Sequence, residues 1–225
     1  MLALLPRDRG GLGDGRGTCH ERENECRAND LRTQIPIEPY SASEDPSGAN
    51  QLMTFGVGSL WVADGRFRLA RIDPVRNEID VRIPLRNRNP DELGFGAGSV
   101  WVVNWSESLV LQIDARTAKI VNTITVGQHA AASVYGGGAV WVSDIEGDVV
   151  WGIDPLLGQV ERSITVSRDP AGFAFGAGSV WVGNTYDGTA SRVDAARNKV
   201  TATIRVADSP TGIAFLGGKV WVVVR

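Results

Sequence analysis

The sequence predicts an all-β protein, a β-propeller of about five units of roughly 40 residues each. Three observations predict this fold. Tryptophan recurs every 40 residues, at Trp61, Trp101, Trp141, Trp181 and Trp221. A glycine stands three residues before each of these tryptophans, and an aromatic residue stands six before it. Apolar positions alternate with period two, as in half-buried strands, and no window has the 3.6-residue period of an amphipathic helix.

Each unit divides into four short strands, named A, B, C and D in chain order. In the unit at 171–210, strand A covers 172–175, B covers 180–183, C covers 189–193 and D covers 199–206. Gly178 favours a tight A–B turn because glycine adopts positive φ without a steric penalty. Asp or Asn follows strand B in the first four units, at Asp64, Asn104, Asp144 and Asn184. We interpret these residues as turn caps, and a ring of cation ligands is the alternative.

The number of units is less regular than their length. Residues 51–210 give four complete units, and 211–225 give strands A and B of a fifth. Residues 31–37 resemble a D strand, so strands from both termini could close a five-unit ring whose last unit is incomplete. The alternative is a fragment of a larger ring. We predict an array of five units at 31–225, with an incomplete ring.

Composition excludes several classes of protein. The chain has 225 residues, of which 43% are hydrophobic and 22% charged, as in a folded soluble protein. No apolar run reaches the ~18 residues that a membrane-spanning helix needs. The formal net charge is -3, and residues 51–225 carry equal numbers of acidic and basic side chains. Nucleic-acid binding is therefore not expected.

The first thirty residues differ from the repeats. They lack strand periodicity and are rich in Gly, Arg and Glu, so we predict that they are disordered. Residues 1–5 are too short for the apolar core of a signal peptide, which predicts no secretion signal in the sequence as given; a truncated or misassigned start would explain this equally well. Cys19, His20 and Cys26 are too few for a zinc site, so we expect two ordinary thiols or a local disulfide.

The repeated motif resembles a known family. Trp-Val-Ala-Asp64, Trp-Val-Val-Asn104, Trp-Val-Ser-Asp144 and Trp-Val-Gly-Asn184 are similar to the signature of the YVTN β-propeller repeat family, with Trp in place of Tyr. The stretch at 169–181, DPAGFAFGAGSVW, also resembles streptogramin lyase (virginiamycin B lyase) propellers. The resemblance covers about 31–225 and implies a bacterial or archaeal, extracytoplasmic protein of about seven blades. This chain is shorter than that.

The loops carry the candidate binding residues. In propellers the D–A and B–C loops lie on one face around the central channel, and here the D–A loops diverge in sequence. We predict ligand contacts from these loops, at Arg86, Arg88, His129, Arg168, Asp169 and Asp208. Trp105 and Tyr186 of the B–C loops could stack on a sugar ring or anchor a partner. Divergent polar loops on a repeated frame predict binding of a protein, a glycan or a small molecule, although loop tips are usually polar in any case.

His129 is the one histidine of the repeat region. The resemblance to streptogramin lyases implies a proton-transferring role for His129 beside a magnesium ion. A lyase also needs a second proton-handling group, and the nearby loops offer only Glu146, Asp169 and Asp208. Because this set is incomplete, we predict a non-catalytic binding or scaffold protein without a cofactor. The alternatives are a magnesium-dependent C–O lyase or a truncated fragment of a larger propeller.

Overall fold

A computed structural model describes residues 52–65, 67–206 and 208–225. It also describes the backbone of two short strands, β1 (Leu2–Ala3) and β2 (Gln34–Ile35), which pair antiparallel. Apart from these strands, the predicted disorder of residues 1–30 and the D-like segment 31–37 lie outside the described residues. Cys19, His20 and Cys26 lie outside them as well.

The described chain is an all-β array of propeller-like units, as predicted. Four units are complete four-stranded antiparallel sheets, and the fifth has two strands. The first two units are β3 (Met53–Gly56), β4 (Ser59–Ala63), β5 (Arg68–Asp73) and β6 (Glu78–Pro84), then β7 (Glu92–Gly96), β8 (Ser99–Asn104), β9 (Leu109–Asp114) and β10 (Lys119–Thr125). The third is β11 (Ala130–Gly136), β12 (Ala139–Asp144), β13 (Val149–Asp154) and β14 (Gln159–Thr165). The fourth is β15 (Pro170–Gly176), β16 (Ser179–Asn184), β17 (Thr189–Asp194) and β18 (Lys199–Arg205), and the fifth is β19 (Pro210–Leu216) with β20 (Lys219–Val224). These strands confirm the predicted A-to-D order, with ends that differ by one or two residues.

The turns explain why each sheet folds locally. In the first A–B turn Val57 and Gly58 have φ of 50° and 70°, and the corresponding pair has positive φ in every unit. Two consecutive positive φ values define a type I′ turn, whose twist matches that of the flanking strands. At the C–D turns an Asp that ends strand C accepts hydrogen bonds from turn N–H groups, as Asp154 does from Leu156 and Leu157.

The units are arranged around a shared inner edge, and the ring is not closed. Each A strand packs against the A strand of the next unit, in the order β3, β7, β11, β15 and β19. The two end strands of this series, β3 and β19, are not packed against each other as neighbours are. The D strands lie outermost and alternate exposed and half-buried residues, as in β14. This arrangement agrees with the predicted incomplete ring.

The repeated tryptophans fill the space between sheets. Trp61, Trp101 and Trp141 are completely buried in apolar clusters, and each indole Nε1 donates to the carbonyl five residues earlier. Burial of such a side chain removes 150–250 Å² from water, on the order of several kcal/mol at ~25 cal/mol per Å². Trp221 occupies the same place in the fifth unit but is 58% exposed, because this sheet has two strands in the described part of the chain and lies at the end of the array.

Neighbouring units also interlock through an aromatic ring that lies on a glycine. The glycine that ends strand A in one unit faces the aromatic residue of the next unit's strand A. A Cβ on Gly136 would lie 2.0 Å from Cγ of Phe175, and Gly56, Gly96 and Gly176 have the same relation to the rings of Phe95, Tyr135 and Phe215. Only glycine leaves room for the ring. The fifth unit has Leu216 in this position, and its side chain is 73% exposed.

Candidate functional site

The residues that end the B strands β8 and β12 hold the loops of one face in place. The buried carboxylate of Asp144 accepts hydrogen bonds from the backbone N–H groups of Gln128 and His129, at 3.1 and 3.0 Å, and of Gly147 at 3.1 Å. It therefore joins a D–A loop to the B–C loop beside it. Asn104 does the same, since its amide donates to the carbonyl of Asn89 and accepts from the N–H of Glu107. These contacts are those of turn caps.

A cavity of about 460 Å³ lies at this face, on the inner edge of units two to five. Its floor is made by the first residues of the A strands, in the segments 91–92, 131–133, 171–173 and 211–213. Its rim includes the residue that directly follows each B strand, which is Trp105, Ile145, Thr185 or Arg225. Asp169 completes the wall. The cavity is thus built mainly from a few repeat positions, most of which contribute a residue from three or four units.

One of these repeat positions explains both why the cavity is open and why it carries a carboxyl group. Glu92, Ala132, Gly172 and Gly212 are equivalent residues, 40 positions apart, and all four line the cavity. Three of them are small, so their side chains leave the cavity open. Gly172 is also required for packing, since a Cβ there would meet the backbone of Gly212 at 3.3 Å. Glu92 is therefore the single charged side chain in a series of small ones.

Glu92 is held in an unusual electrostatic environment. Its carboxylate accepts one hydrogen bond, from the hydroxyl of Ser133 at 2.6 Å. Desolvation in the cavity raises the pKa of Glu92 to about 8, although the Ser133 hydrogen bond opposes the shift. Asp169 behaves similarly, because desolvation and the neighbouring charge of Asp148 raise its pKa. The cavity therefore combines apolar walls with carboxyl groups that are costly to ionise.

Two of the predicted ligand-binding residues line the cavity. Trp105 lies at the rim and its backbone N–H donates to Asp91 at 2.8 Å, whereas its indole Nε1 is buried without a hydrogen-bond partner. Asp169 is fixed by its own N–H, which donates to Asp148 at 3.0 Å. His129 is next to this group but does not line the cavity. Its ring lies 5.0 Å from the ring of Trp105, at an interplanar angle of 55°.

The other predicted residues lie on the same face but away from the cavity. The guanidinium of Arg168 stacks on the exposed ring of Tyr186, 3.8 Å from its centroid. Arg88 forms an ion pair with Glu107 at 2.9 Å. Arg86 and Asp208 are exposed, and neither is among the residues around the cavity. The predicted residues therefore divide between the cavity, its margin and an outer surface.

The magnesium ion implied by the lyase resemblance does not fit the residues around His129. Its Nδ1 lies 2.7 Å from Oε1 of Glu146, so the neighbouring carboxylate is already engaged by the imidazole. Within 52–65, 67–206 and 208–225, no three side chains of His, Cys, Asp or Glu are grouped so that they could share an ion. We derive no catalytic step through a metal here.

The residues at the floor of the cavity were not predicted from the sequence. Glu92 and Ser133 belong to A strands, whereas the predicted ligand contacts were chosen from the divergent loops. The signal is present in the repeat, because a charged residue stands where the next three units have Ala or Gly and the first has Leu52. Within the described part of the chain there is no helix that could span a membrane.

Comparisons with known proteins support the fold. No family model and no curated protein matches the chain. Among solved structures, the chain is similar to the designed protein Ika8, with a TM-score of 0.67 and 14% identity, covering 76% of this chain and 54% of that one. It is also similar to hydrazine synthase of Kuenenia stuttgartiensis, with a TM-score of 0.56 and 20% identity, covering 59% of this chain and 41% of that one. The chain therefore spans about half the length of these structures or less, and at such identity the likeness concerns the fold, a propeller-like all-β repeat.

Proposed function

We propose that this chain is a non-catalytic binding module that holds a small molecule in the cavity at the inner edge of units two to five. The observation that carries the proposal is the cavity itself. Its volume of about 460 Å³ falls in the range of ~300–1,000 Å³ typical of small-molecule sites. Apolar side chains such as Ile145, Phe173 and Ile213 line it, together with the few polar groups that would orient a ligand.

The rigid surroundings of the cavity support the same proposal. Its floor consists of paired β-strands, so a ligand would meet groups whose positions are set before it binds. The loops at the rim are tied to the sheets by buried caps such as Asp144. A preformed site loses little conformational entropy on binding, which favours affinity for a small ligand.

A blocking substitution tests the proposal. Ala132 lines the cavity, whereas Ala196 is exposed on a C–D turn. We expect a fragment library, measured by ligand-observed NMR, to contain compounds that bind the wild type and the Ala196→Phe variant but not the Ala132→Phe variant. Thermal unfolding of both variants checks that the fold is retained. The proposal fails if no fragment binds in a manner sensitive to Ala132→Phe.

A second candidate is proton transfer by His129, which the resemblance to streptogramin lyases suggests. The observation in its favour is the contact of Nδ1 with Glu146 at 2.7 Å, since a carboxylate partner fixes the orientation of an imidazole ring. Incubation with a cyclic depsipeptide, with and without magnesium, separates the candidates. Ring opening that is lost in a His129→Ala variant would favour the lyase over the binding module.

The outer surface offers a further contact for a larger ligand. Arg168 and Tyr186 form an exposed cation–π pair on the loop face. An aromatic ring covered by a guanidinium is a common anchor for a protein or a glycan. A ligand that extends from the cavity across the loop face would contact this pair, and Tyr186→Ala would then weaken its binding without changing fragment binding in the cavity.

A further inference from the structure

We infer that the cavity selects a ligand with a positively charged nitrogen, such as an organic ammonium group attached to an apolar body. This inference rests on the proposed binding function and names its ligand class. Its starting point is the charge of the cavity wall. Among the residues that line the cavity are three acidic ones, Asp91, Glu92 and Asp169, and one basic one, Arg225; Asp91 already accepts a hydrogen bond from the N–H of Trp105.

The carboxyl group of Glu92 lacks a cationic partner in the described chain. Its one hydrogen bond comes from the neutral hydroxyl of Ser133, and no described Lys, Arg or His lies within ion-pair distance of it. Glu92 is half-buried, and a charge that is partly removed from water loses hydration unless a partner compensates. The surroundings of Glu92 do raise its pKa, to about 8. A cation supplied by a ligand would provide the missing partner.

Asp169 gives a second and separate indication. It lines the same cavity as Glu92 and lies in the loop before β15. Desolvation and the like charge of Asp148 raise its pKa. A positive group between Glu92 and Asp169 would relieve both unfavourable environments. The remaining wall includes the apolar side chains of Ile145, Phe173 and Ile213, which can contact an uncharged body.

An alternative ligand would use Glu92 in its protonated form. A protonated carboxyl donates a hydrogen bond, so a neutral ligand with an acceptor oxygen would bind best at low pH. An ammonium ligand would bind best when Glu92 is ionised, and its binding would release the proton. The two ligand classes therefore predict opposite pH dependence. The other charged groups that line the cavity are Asp91, Asp169 and Arg225, and the neighbouring inner strand β3 carries none.

Three probes of similar size and different charge test the inference: 2-phenylethylammonium, 2-phenylethanol and 3-phenylpropionate. Affinity is measured by titration calorimetry or by NMR between pH 6 and pH 8. We expect the ammonium probe to bind at least ten times more tightly than the other two. Its Kd should fall by up to about tenfold per pH unit, as expected when binding requires ionisation of one group.

Matched variants connect the result to the cavity. Glu92→Gln should remove the pH dependence and weaken binding of the ammonium probe at least tenfold. Asp208→Asn removes an exposed carboxylate of the same face that does not line the cavity, and should change nothing. Ala132→Phe should abolish binding. Glu92→Gln is nearly isosteric, and a thermal unfolding curve checks its fold.

The outcomes separate this inference from the proposal on which it rests. Binding of the neutral or anionic probe that equals or exceeds that of the ammonium, and that Ala132→Phe abolishes, overturns the charge preference but keeps the binding site. Tighter binding at low pH overturns it as well. If neither these probes nor any fragment is sensitive to Ala132→Phe, the proposed function itself is wrong.

Discussion

The ring-on-glycine contact between units gives a sharp test of how the propeller is held together. We expect a Gly136→Ala substitution to destabilise the protein. The φ of Gly136 is not positive, so alanine causes no backbone strain there. Its Cβ, however, would lie 2.0 Å from Cγ of Phe175 and 2.3 Å from Cδ1. Because Cγ is the ring atom attached to Cβ, rotation of the ring about its own axis cannot relieve the overlap.

The size of the effect follows from two opposing contributions. Overpacking of a well-filled site costs roughly 1–3 kcal/mol, and an overlap of this depth lies at the upper end. Loss of conformational freedom in the unfolded chain offsets roughly 0.4–1 kcal/mol when glycine becomes alanine. The expected decrease in the free energy of unfolding is therefore about 2 kcal/mol. For a chain of this size the melting temperature should fall by about 4–8 °C.

Tryptophan fluorescence during urea and thermal unfolding measures the effect, with Gly212→Ala as the control. A Cβ on Gly212 would meet Val223 at an ordinary distance of 3.7 Å, and its φ is also not positive, so stability should stay the same or rise slightly. A double variant with Phe175→Ala should lose less stability than the sum of the single variants. The reasoning is refuted if Gly136→Ala and Gly212→Ala have the same stability within about 0.5 kcal/mol.

Three further predictions are tested by urea unfolding. Asp144→Ala leaves three part-buried backbone N–H donors without their buried acceptor and should cost about 3 kcal/mol, whereas Asp154→Ala at an exposed turn should cost about 1 kcal/mol. Equal costs would contradict the role of Asp144 in joining loops. Trp141→Ala should lower the free energy of unfolding by about 3–5 kcal/mol and Trp221→Ala by far less, because only Trp141 is buried. A larger loss for Trp221→Ala would contradict the packing described above. Finally, the folded state binds a proton at Glu92 more tightly than the unfolded state does, since folding raises the pKa from 4.5 to about 8. Stability should therefore decrease as pH rises between these values, by up to roughly 1.4 kcal/mol per pH unit, and a wild-type slope unchanged in Glu92→Gln would disprove this.

The strands could be predicted from the sequence because each one repeats a local signal. The two positive-φ residues of the A–B turn, the Asp at the end of strand C and the alternation of apolar residues all act within a few residues. Four copies of each signal make the register unambiguous. The exposure of Trp221 could not be predicted in this way, since its local sequence matches that of Trp141 and only the neighbouring strands differ.

The candidate site could be predicted only in part, for a related reason. The loops were found because they diverge, and Trp105 and Asp169 do line the cavity. The space itself depends on small residues at one position of three separate A strands, Ala132, Gly172 and Gly212, which become neighbours only when the units are arranged around a common edge. The ion pair of Arg88 with Glu107 and the contact of His129 with Glu146 likewise join loops that the sequence keeps 17 or more residues apart.

Leu216 distinguishes the fifth unit from the others at the joint between units, and this limits how units can be moved or duplicated. Units one to four each offer a glycine to the aromatic residue of their successor, so the middle units are interchangeable at this joint. The fifth unit offers a branched side chain instead, and the same joint placed after it would force a phenyl ring into Leu216. Transplanting the fifth unit into the interior would thus require leucine to become glycine, whereas duplicating the third would need no such change. The residue at this one position therefore distinguishes the fifth unit from the four that precede it.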